Sequence, residues 1–228
     1  MTSEAGPRRR RRTQQRAPSA GLDLRGFPST ATPAGRPWFR CHVDRRMQGP
    51  DRGAWFFSSS PAGDPAPGSG RFDLPEPEGT CYLASTPAAA VREVAGPDVV
   101  RRGWIEGDLL EGRVVSTLTL PHPVRAADVS ARRATDYRIS SELTTTGRYE
   151  ITQAWARALR DAGFDALRHQ LRFTPGSDRG LALFGTAGRP DPGWPGGPDP
   201  ASAAEWAESL GLDVVTAPSS AAVEIVPP

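Results

Sequence analysis

A chain of 228 residues is long enough for one ordinary domain with tails, and 28 basic against 26 acidic groups, a net charge of +2, gives no general attraction to a polyanion. Hydrophobic residues make up 37%, while Gly and Pro, 24 each, exceed a fifth of the chain and point to long loops and disordered ends. No apolar run approaches the roughly 18 residues of a membrane span, and two cysteines, Cys41 and Cys81, make neither a disulfide framework nor a zinc site; a single bridge is open to them, with free thiols in a reducing cytosol as the expectation.

Residues 1–34 carry seven arginines against Glu4 and Asp23 and few large apolar side chains, the composition of a disordered arm. The run Arg8–Arg12 could touch an acidic surface, but no aromatic residue interleaves it as a base-stacking platform would, so a nucleic-acid partner is not expected. A folded domain is expected over residues 35–188. Trp38–Val43 reads as its first strand, with Arg40 facing opposite to its neighbours, and Ala54–Ser58 as a short second strand. Thr80–Ala84 has the length and apolarity of a buried strand. Thr86 is a good N-cap and Pro87 suits the first helical position, so a helix is expected over Ala88–Val94, stopped by Gly96-Pro97.

Arg113–Leu120 has strand composition, and Asp128–Thr135 is a candidate brief helix. The clearest helix runs from Tyr149 to Ala162, where Ile151, Ala154, Trp155, Ala158, Leu159 and Ala162 form one apolar stripe and Gly163 is a natural C-cap. Leu167–Phe173 and Gly180–Gly185 read as two strands. Residues 189–228 set Arg189 against six acids and read as a Pro/Gly-rich acidic tail, with a helix over Ala201–Leu210 and a last strand over Val223–Val226. Strands and helices alternate irregularly, with too few helices for a doubly wound sheet. The expected fold class is α+β, a compact mixed sheet with flanking helices and disordered termini.

The chemistry gathers between Gly70 and Glu93. Arg71 precedes the strand that carries Tyr82, and Glu93 lies about two turns into the following helix. An arginine, a tyrosine and a carboxylate on one strand–helix unit suit a ligand with phosphate and sugar. On residue type alone, Arg71 is equally a surface arginine, Tyr82 a core aromatic and Glu93 a solvated helix position. His42, His122 and His169 lack metal-ligand spacing and are read as structural.

The motifs, in order, are Trp-Phe-Arg at 38–40, Gly-Arg-Phe at 70–72, Tyr-Leu-Ala at 82–84, Thr-Pro-x-x-Ala-x-x-Glu at 86–93, Tyr-x-x-Thr-Gln-x-Trp-Ala at 149–156 and Leu-Phe-Gly at 183–185. This order resembles the RES domain family, the toxin halves of RES–Xre toxin–antitoxin pairs. The resemblance implies an ADP-ribosyltransferase-like fold and an enzyme that cleaves NAD+ at the nicotinamide–ribose bond by phosphorolysis or hydrolysis, with NAD+ as substrate and no further cofactor or metal. It carries the family's ligand residues onto Arg40, Arg71, Tyr82 and Glu93, and implies an Xre-type antitoxin partner, a cytoplasmic location and a homodimer.

Physical chemistry agrees with the residue types. Guanidinium forks match pyrophosphate oxygens, which suits Arg40 and Arg71. A carboxylate stabilises an oxocarbenium-like ribose, the role expected of Glu93. Tyr82 offers an aromatic face to nicotinamide and a hydroxyl for a hydrogen bond. One departure stands out. The family usually carries a serine on the strand after the amphipathic helix, and Leu171 holds that position, with Gln170, Ser140 and Ser141 as the nearby polar substitutes. The alternatives are therefore a catalytically weakened nucleotide-binding or interaction module, or an ADP-ribosyltransferase that passes the sugar to a protein.

Overall fold

The computed structural model of the protein describes residues 13–44, 53–61, 68–190, 194–197 and 200–216; the run Arg8–Arg12 and the expected strand Val223–Val226 lie outside them. Its frame is a mixed sheet of strands β1 (Ser29–Thr32), β2 (Pro37–Val43), β5 (Glu78–Ala84), β7 (Arg113–Thr119), β8 (Val124–Asp128), β9 (Ala166–Gln170), β10 (Arg179–Thr186) and β11 (Ala201–Ser202). Two-residue strands β3 (Ser59–Ser60) with β4 (Leu74–Pro75), and β6 (Ile105–Glu106) with β12 (Val214–Val215), form small parallel pairs beside it. The large sheet runs in the order β1-β8-β9-β10-β5-β2-β7-β11. Only β8 and β9 pair in parallel, because the long crossover between them carries helix α4 (Tyr149–Asp161). The α+β expectation, a mixed sheet with flanking helices, describes this architecture.

Strand alternation divides the core. Cys81 and Leu83 of β5 join Trp38, Phe57, Leu118, Leu181 and Leu183 on one face of the sheet. Tyr82 and Ala84 point to the other face, where two helical groups pack side by side. Helix α4 buries Ile151, Trp155 and Leu159 against Phe72, Leu167 and Ala182. Helix α1 (Pro87–Arg102) buries Ala89, Ala90, Val91 and Ala95 against Val115 and, with α5 (Ala203–Ser209), against Ala203 and Ala207. Short helices α2 (Gly107–Leu110) and α3 (Glu142–Thr145) and a 3-10 turn at Arg132–Tyr137 complete the elements; the last stands where a helix over Asp128–Thr135 is expected from sequence.

Five boundaries differ from the sequence expectation. Helix α1 starts as expected, with the Thr86 hydroxyl accepting from Ala89 N at 3.2 Å and Pro87 in the first turn, but it continues through Gly96-Pro97 to Arg102 and ends at Gly103, whose φ is 84°. Gly96 is a packing residue: a Cβ there would lie 2.2 Å from Cγ of Phe173. Pro97 removes one helical N–H, a loss that tertiary contacts along α1 outweigh.

Residues 13–34, expected within a disordered arm, belong to the fold. Leu24 and Phe27 are buried beside α4, Phe27 meets Tyr137 at 4.9 Å between ring centroids, and β1 pairs with β8 from Ser29↔Ala127 to Thr32↔Val124. Two well-seated apolar side chains and a strand edge anchor a segment whose average composition is polar. The expected end at residue 188 also moves. Trp194 packs edge-on against Trp55, β11 pairs with β7, and α5 buries two alanines, so the domain includes the described residues through 216. Finally, Ala54–Ser58 makes only isolated bridges through Phe57 and Ser58 before β3, and the strand expected over Leu167–Phe173 stops at Gln170.

Candidate active site

Between the α4 group and the α1–α5 group the sheet face is open, and two adjoining hollows fill the gap. The first, about 470 Å³, is lined by Arg71, Glu93, Arg101, Tyr149, His169 and Arg172 among others. The second, about 270 Å³, is lined mainly by Phe39, Arg40, Cys41, Tyr82, Ala84, Glu93, His169 and Leu171. Glu93 and His169 border both. The first hollow is basic and the second largely apolar.

Arg71 sits on the turn between Gly70 and Asp73, and that turn is held from two sides. Gly70 N donates to Asp73 Oδ2 at 2.6 Å, Tyr82 Oη donates to Asp73 Oδ1 at 2.8 Å, and Phe72 N donates to Tyr82 Oη at 2.7 Å. From α4, Gln153 Nε2 donates to Gly70 O at 2.9 Å and Thr152 Oγ1 donates to Arg71 O. Both side chains are buried, Thr152 fully and Gln153 to 2% exposure, so these bonds form away from competing water. Gly70 cannot be replaced without a shift, since a Cβ would lie 2.5 Å from both Asp73 Oδ1 and Tyr82 Oη. The Arg71 guanidinium lies 5.1 Å over the Tyr149 ring and donates through Nη1 to Thr146 O. Burial lowers its pKa and the Arg172 charge adds to the fall, while Tyr149 and Glu93 oppose it; a guanidinium remains cationic regardless.

Tyr82 therefore contributes its ring, not its hydroxyl, to the cleft. Burial pushes the phenol well above its usual value and the neighbouring Asp73 adds to the rise, so it is a neutral donor locked to the turn.

Glu93 faces the junction of the two hollows. Its Oε1 accepts from Phe173 N at 2.7 Å and Thr174 Oγ1 at 3.1 Å, and its Oε2 from Arg172 N at 3.1 Å. A carboxylate offers about four acceptor sites, so these bonds orient Glu93 and leave about one for a ligand. The same bonds shape the turn after β9 and bring the Arg172 side chain to the first hollow, its guanidinium over Phe173 at 5.1 Å. Arg101, in the last turn of α1, completes a group of three guanidiniums and pairs with Asp98 at 3.2 Å.

Arg40 borders the second hollow, and its Nη1 is already engaged. It alternates with Phe39, so its side chain leaves the opposite face of the sheet, where Nη1 donates to Ala54 O at 2.7 Å, Phe56 O at 3.0 Å and Cys81 Sγ at 3.2 Å. All four residues expected at the site border the cleft, Arg71 at the first hollow, Arg40 and Tyr82 at the second and Glu93 at both, but the Arg40 guanidinium is engaged by Ala54, Phe56 and Cys81. Ser140 and Ser141 are exposed, and Ser140 is engaged by Gln15, at 2.9 Å from its N and 3.0 Å from its Oγ; neither lines the cleft. Leu171 is 6% exposed and packs with the α1 core beside the second hollow.

Sequence reasoning missed His169, Arg101 and Arg172. His169 Nδ1 meets Gln170 O at 2.9 Å; a carbonyl can only accept, so Nδ1 carries the proton and Nε2 the lone pair. Burial pulls its pKa down to about 4, with the charge of Arg71 acting in the same direction and the Gln170 bond against it, so the ring is neutral at neutral pH. Its position two residues after the buried Leu167 on β9, hence on the same face, is the signal that locates it. Arg172 is found from the structure alone, because its placement depends on the turn that Glu93 holds. Cys41, half-buried at the second hollow, is a free thiol that burial raises to about 11. Among the described residues no group of three His, Cys, Asp or Glu could hold a metal ion, and no helix is long and apolar enough to cross a membrane.

Against solved structures, the chain is similar to a chain in the "Crystal structure of the M.tuberculosis MbcT-MbcA toxin-antitoxin complex", with a TM-score of 0.52 and 14% identity over 78% of this chain and 91% of that one. At that identity the likeness speaks for the fold. The comparison with curated proteins yields no match. The family model described as "RES domain" matches residues 37–197, a span that contains β2, the Arg71 turn, Tyr82, Glu93, α4 and both hollows, and the chain belongs to the RES domain family.

Proposed function

We propose that the protein cleaves NAD+ at the nicotinamide–ribose bond. The observation that carries this reading is the shared border of the cleft: one carboxylate, Glu93, stands between a hollow with three arginines and a hollow lined by Phe39, Tyr82 and Ala84. The pyrophosphate is assigned to the first hollow, where Arg71 and Arg172 supply paired donors. Arg172 takes the place that sequence reasoning gave to Arg40. The nicotinamide riboside end is assigned to the second hollow, against the Tyr82 ring. As the glycosidic bond breaks, nicotinamide leaves with the bonding pair and positive charge spreads over the ribose C1 and ring oxygen. Glu93, already oriented by the turn after β9, meets that charge without reorganising. An oxygen of water or phosphate then forms the new bond to C1, and an attacking water releases its proton to the surrounding solvent.

Purified protein incubated with NAD+, with and without phosphate, is expected to release nicotinamide, resolved by chromatography. Release under neither condition by folded protein overturns the proposal. A transfer to a protein acceptor shares the first step and is read in the same assay by labelled protein.

A second reading keeps the cleft and drops the chemistry, so that the protein is a nucleotide-binding or interaction module. It is favoured by Leu171, which places an alkyl side chain at the second hollow where the family usually carries a serine, and by the three bonds that already occupy Glu93. Calorimetric binding of ADP-ribose without turnover of NAD+ selects this reading. The solved neighbour comes from a toxin–antitoxin complex. By analogy we propose a protein inhibitor of the Xre type as the partner of this chain, binding so as to close the cleft.

A further inference from the structure

We propose that residues 13–16 form an N-terminal strap that sets the position of Arg71 through Glu142, making Glu142 a positioning residue for the basic hollow. The strap lies ahead of the matched family domain, which begins at residue 37. Even so, it is tied to the cleft by an unbroken series of bonds. Glu142 Oε2 accepts from Thr13 Oγ1 at 2.6 Å, Gln14 N at 2.6 Å and Gln15 N at 2.9 Å. Gln15 is 2% exposed and fully used: Nε2 donates to Arg16 O and Arg138 O, while Oε1 accepts from Ser140 N and Oγ. Trp155 Nε1, from the core of α4, donates to Arg16 O at 2.8 Å.

Glu142 opens α3, a helix of four residues that cannot hold its shape alone. Thr146 N closes that turn on Glu142 O at 2.8 Å, and Thr146 O is the acceptor for Arg71 Nη1. Thr144, on the same turn, lines the basic hollow. The strap thus fixes a carboxylate, the carboxylate fixes a helical turn, and the turn fixes the guanidinium. Thr13, Gln14 and Gln15 hold the Glu142 carboxyl below its usual range, so the clasp is intact at neutral pH.

The identity of the ligand rests on the NAD+ reading; the strap itself does not. In full-length protein, Glu142→Ala is expected to weaken NAD+ and inorganic pyrophosphate by about tenfold in calorimetry, with kcat within about twofold of the parent, while Glu142→Gln stays near the parent because its amide oxygen still accepts. Hydrogen exchange of the same variants is expected to quicken at residues 144–149 and at 70–72 in Glu142→Ala. A folded Glu142→Ala protein with parental exchange at 70–72 and parental pyrophosphate affinity overturns the strap. Absence of nicotinamide release by the parent overturns the NAD+ reading and leaves exchange and pyrophosphate binding to judge the strap. Should Glu142→Ala fail to fold, Thr13→Ala, which removes one donor, carries the same comparison with a smaller change.

Discussion

Arg40 and Arg71 look interchangeable as letters in a motif, and the structure sends them to opposite sides of one sheet. Arg40 sits in mid-strand, where parity dictates direction: Phe39 packs with the α1 group, so Arg40 must leave by the other face toward Ala54, Phe56 and Cys81. Arg71 sits on a turn, free of strand parity, and buried bonds from Tyr82, Asp73, Thr152 and Gln153 aim it into the cleft. Two guanidiniums of equal charge thereby acquire different work. One ties three main-chain and side-chain acceptors beneath the sheet; the other is available to an anion.

The comparison predicts a clean separation of effects. Arg71→Ala should weaken NAD+ or ADP-ribose by roughly a hundredfold in calorimetry, since it removes a charged donor from the partly desolvated hollow proposed to take the pyrophosphate. Arg40→Ala should leave that affinity within about twofold while lowering unfolding stability by about 2 kcal/mol in urea, because the carbonyls of Ala54 and Phe56 lose their donor. Equal losses of affinity in both variants would place both guanidiniums on the ligand and break the contrast.

How much of this was legible depended on whether the signal was local. The β5–α1 unit and the α4 stripe follow from short-range rules, namely a buried strand, a Thr-Pro helix start and a 3.6-residue apolar period, and they appear where the sequence places them. Glu93 and Arg71 inherit their positions from those elements. Other features are decided by distant contacts. Helix α1 passes Gly96 because Phe173, far along the chain, covers it; the segment before β1 is ordered because Leu24 and Phe27 find α4. Arg172 reaches the cleft through a turn that Glu93 itself holds. The family motif Tyr-x-x-Thr-Gln was legible as a pattern but not as a function. Its Thr152 and Gln153 turn out to grip the Arg71 turn, and Tyr149 lies under the Arg71 guanidinium at the wall of the first hollow.

That last point yields a prediction of intermediate size. Gln153→Ala leaves Gly70 O buried without its donor and should cost about 1.5 kcal/mol of stability. If the grip matters to the site, ADP-ribose affinity should fall as well, by roughly tenfold. A stability loss with unchanged affinity would mean that Tyr82 and Asp73 alone hold the turn, and that the α4 side of the contrast with Arg40 is dispensable.

The smallest expected effect is also the most direct reading of the field in the cleft. His169 and Arg71 border the same hollow, and the Arg71 charge acts with burial to hold the imidazole pKa down to about 4. The neutral form is thus favoured by folding. Its contribution is complete above the ordinary histidine value near 6.5 and is lost as pH falls toward 4. Arg71→Met removes the charge but keeps much of the bulk, so the His169 titration, followed by NMR, should move upward, and the acid loss of stability, which still begins near the ordinary histidine value, should be smaller and finish at a higher pH. Burial is the larger cause and remains, so the ring should still titrate below the ordinary value. Arg40→Met, across the sheet, should leave the His169 titration where it is. A His169 titration that responds equally to both substitutions would mean that the sheet does not separate the two guanidiniums electrostatically, whatever their geometry.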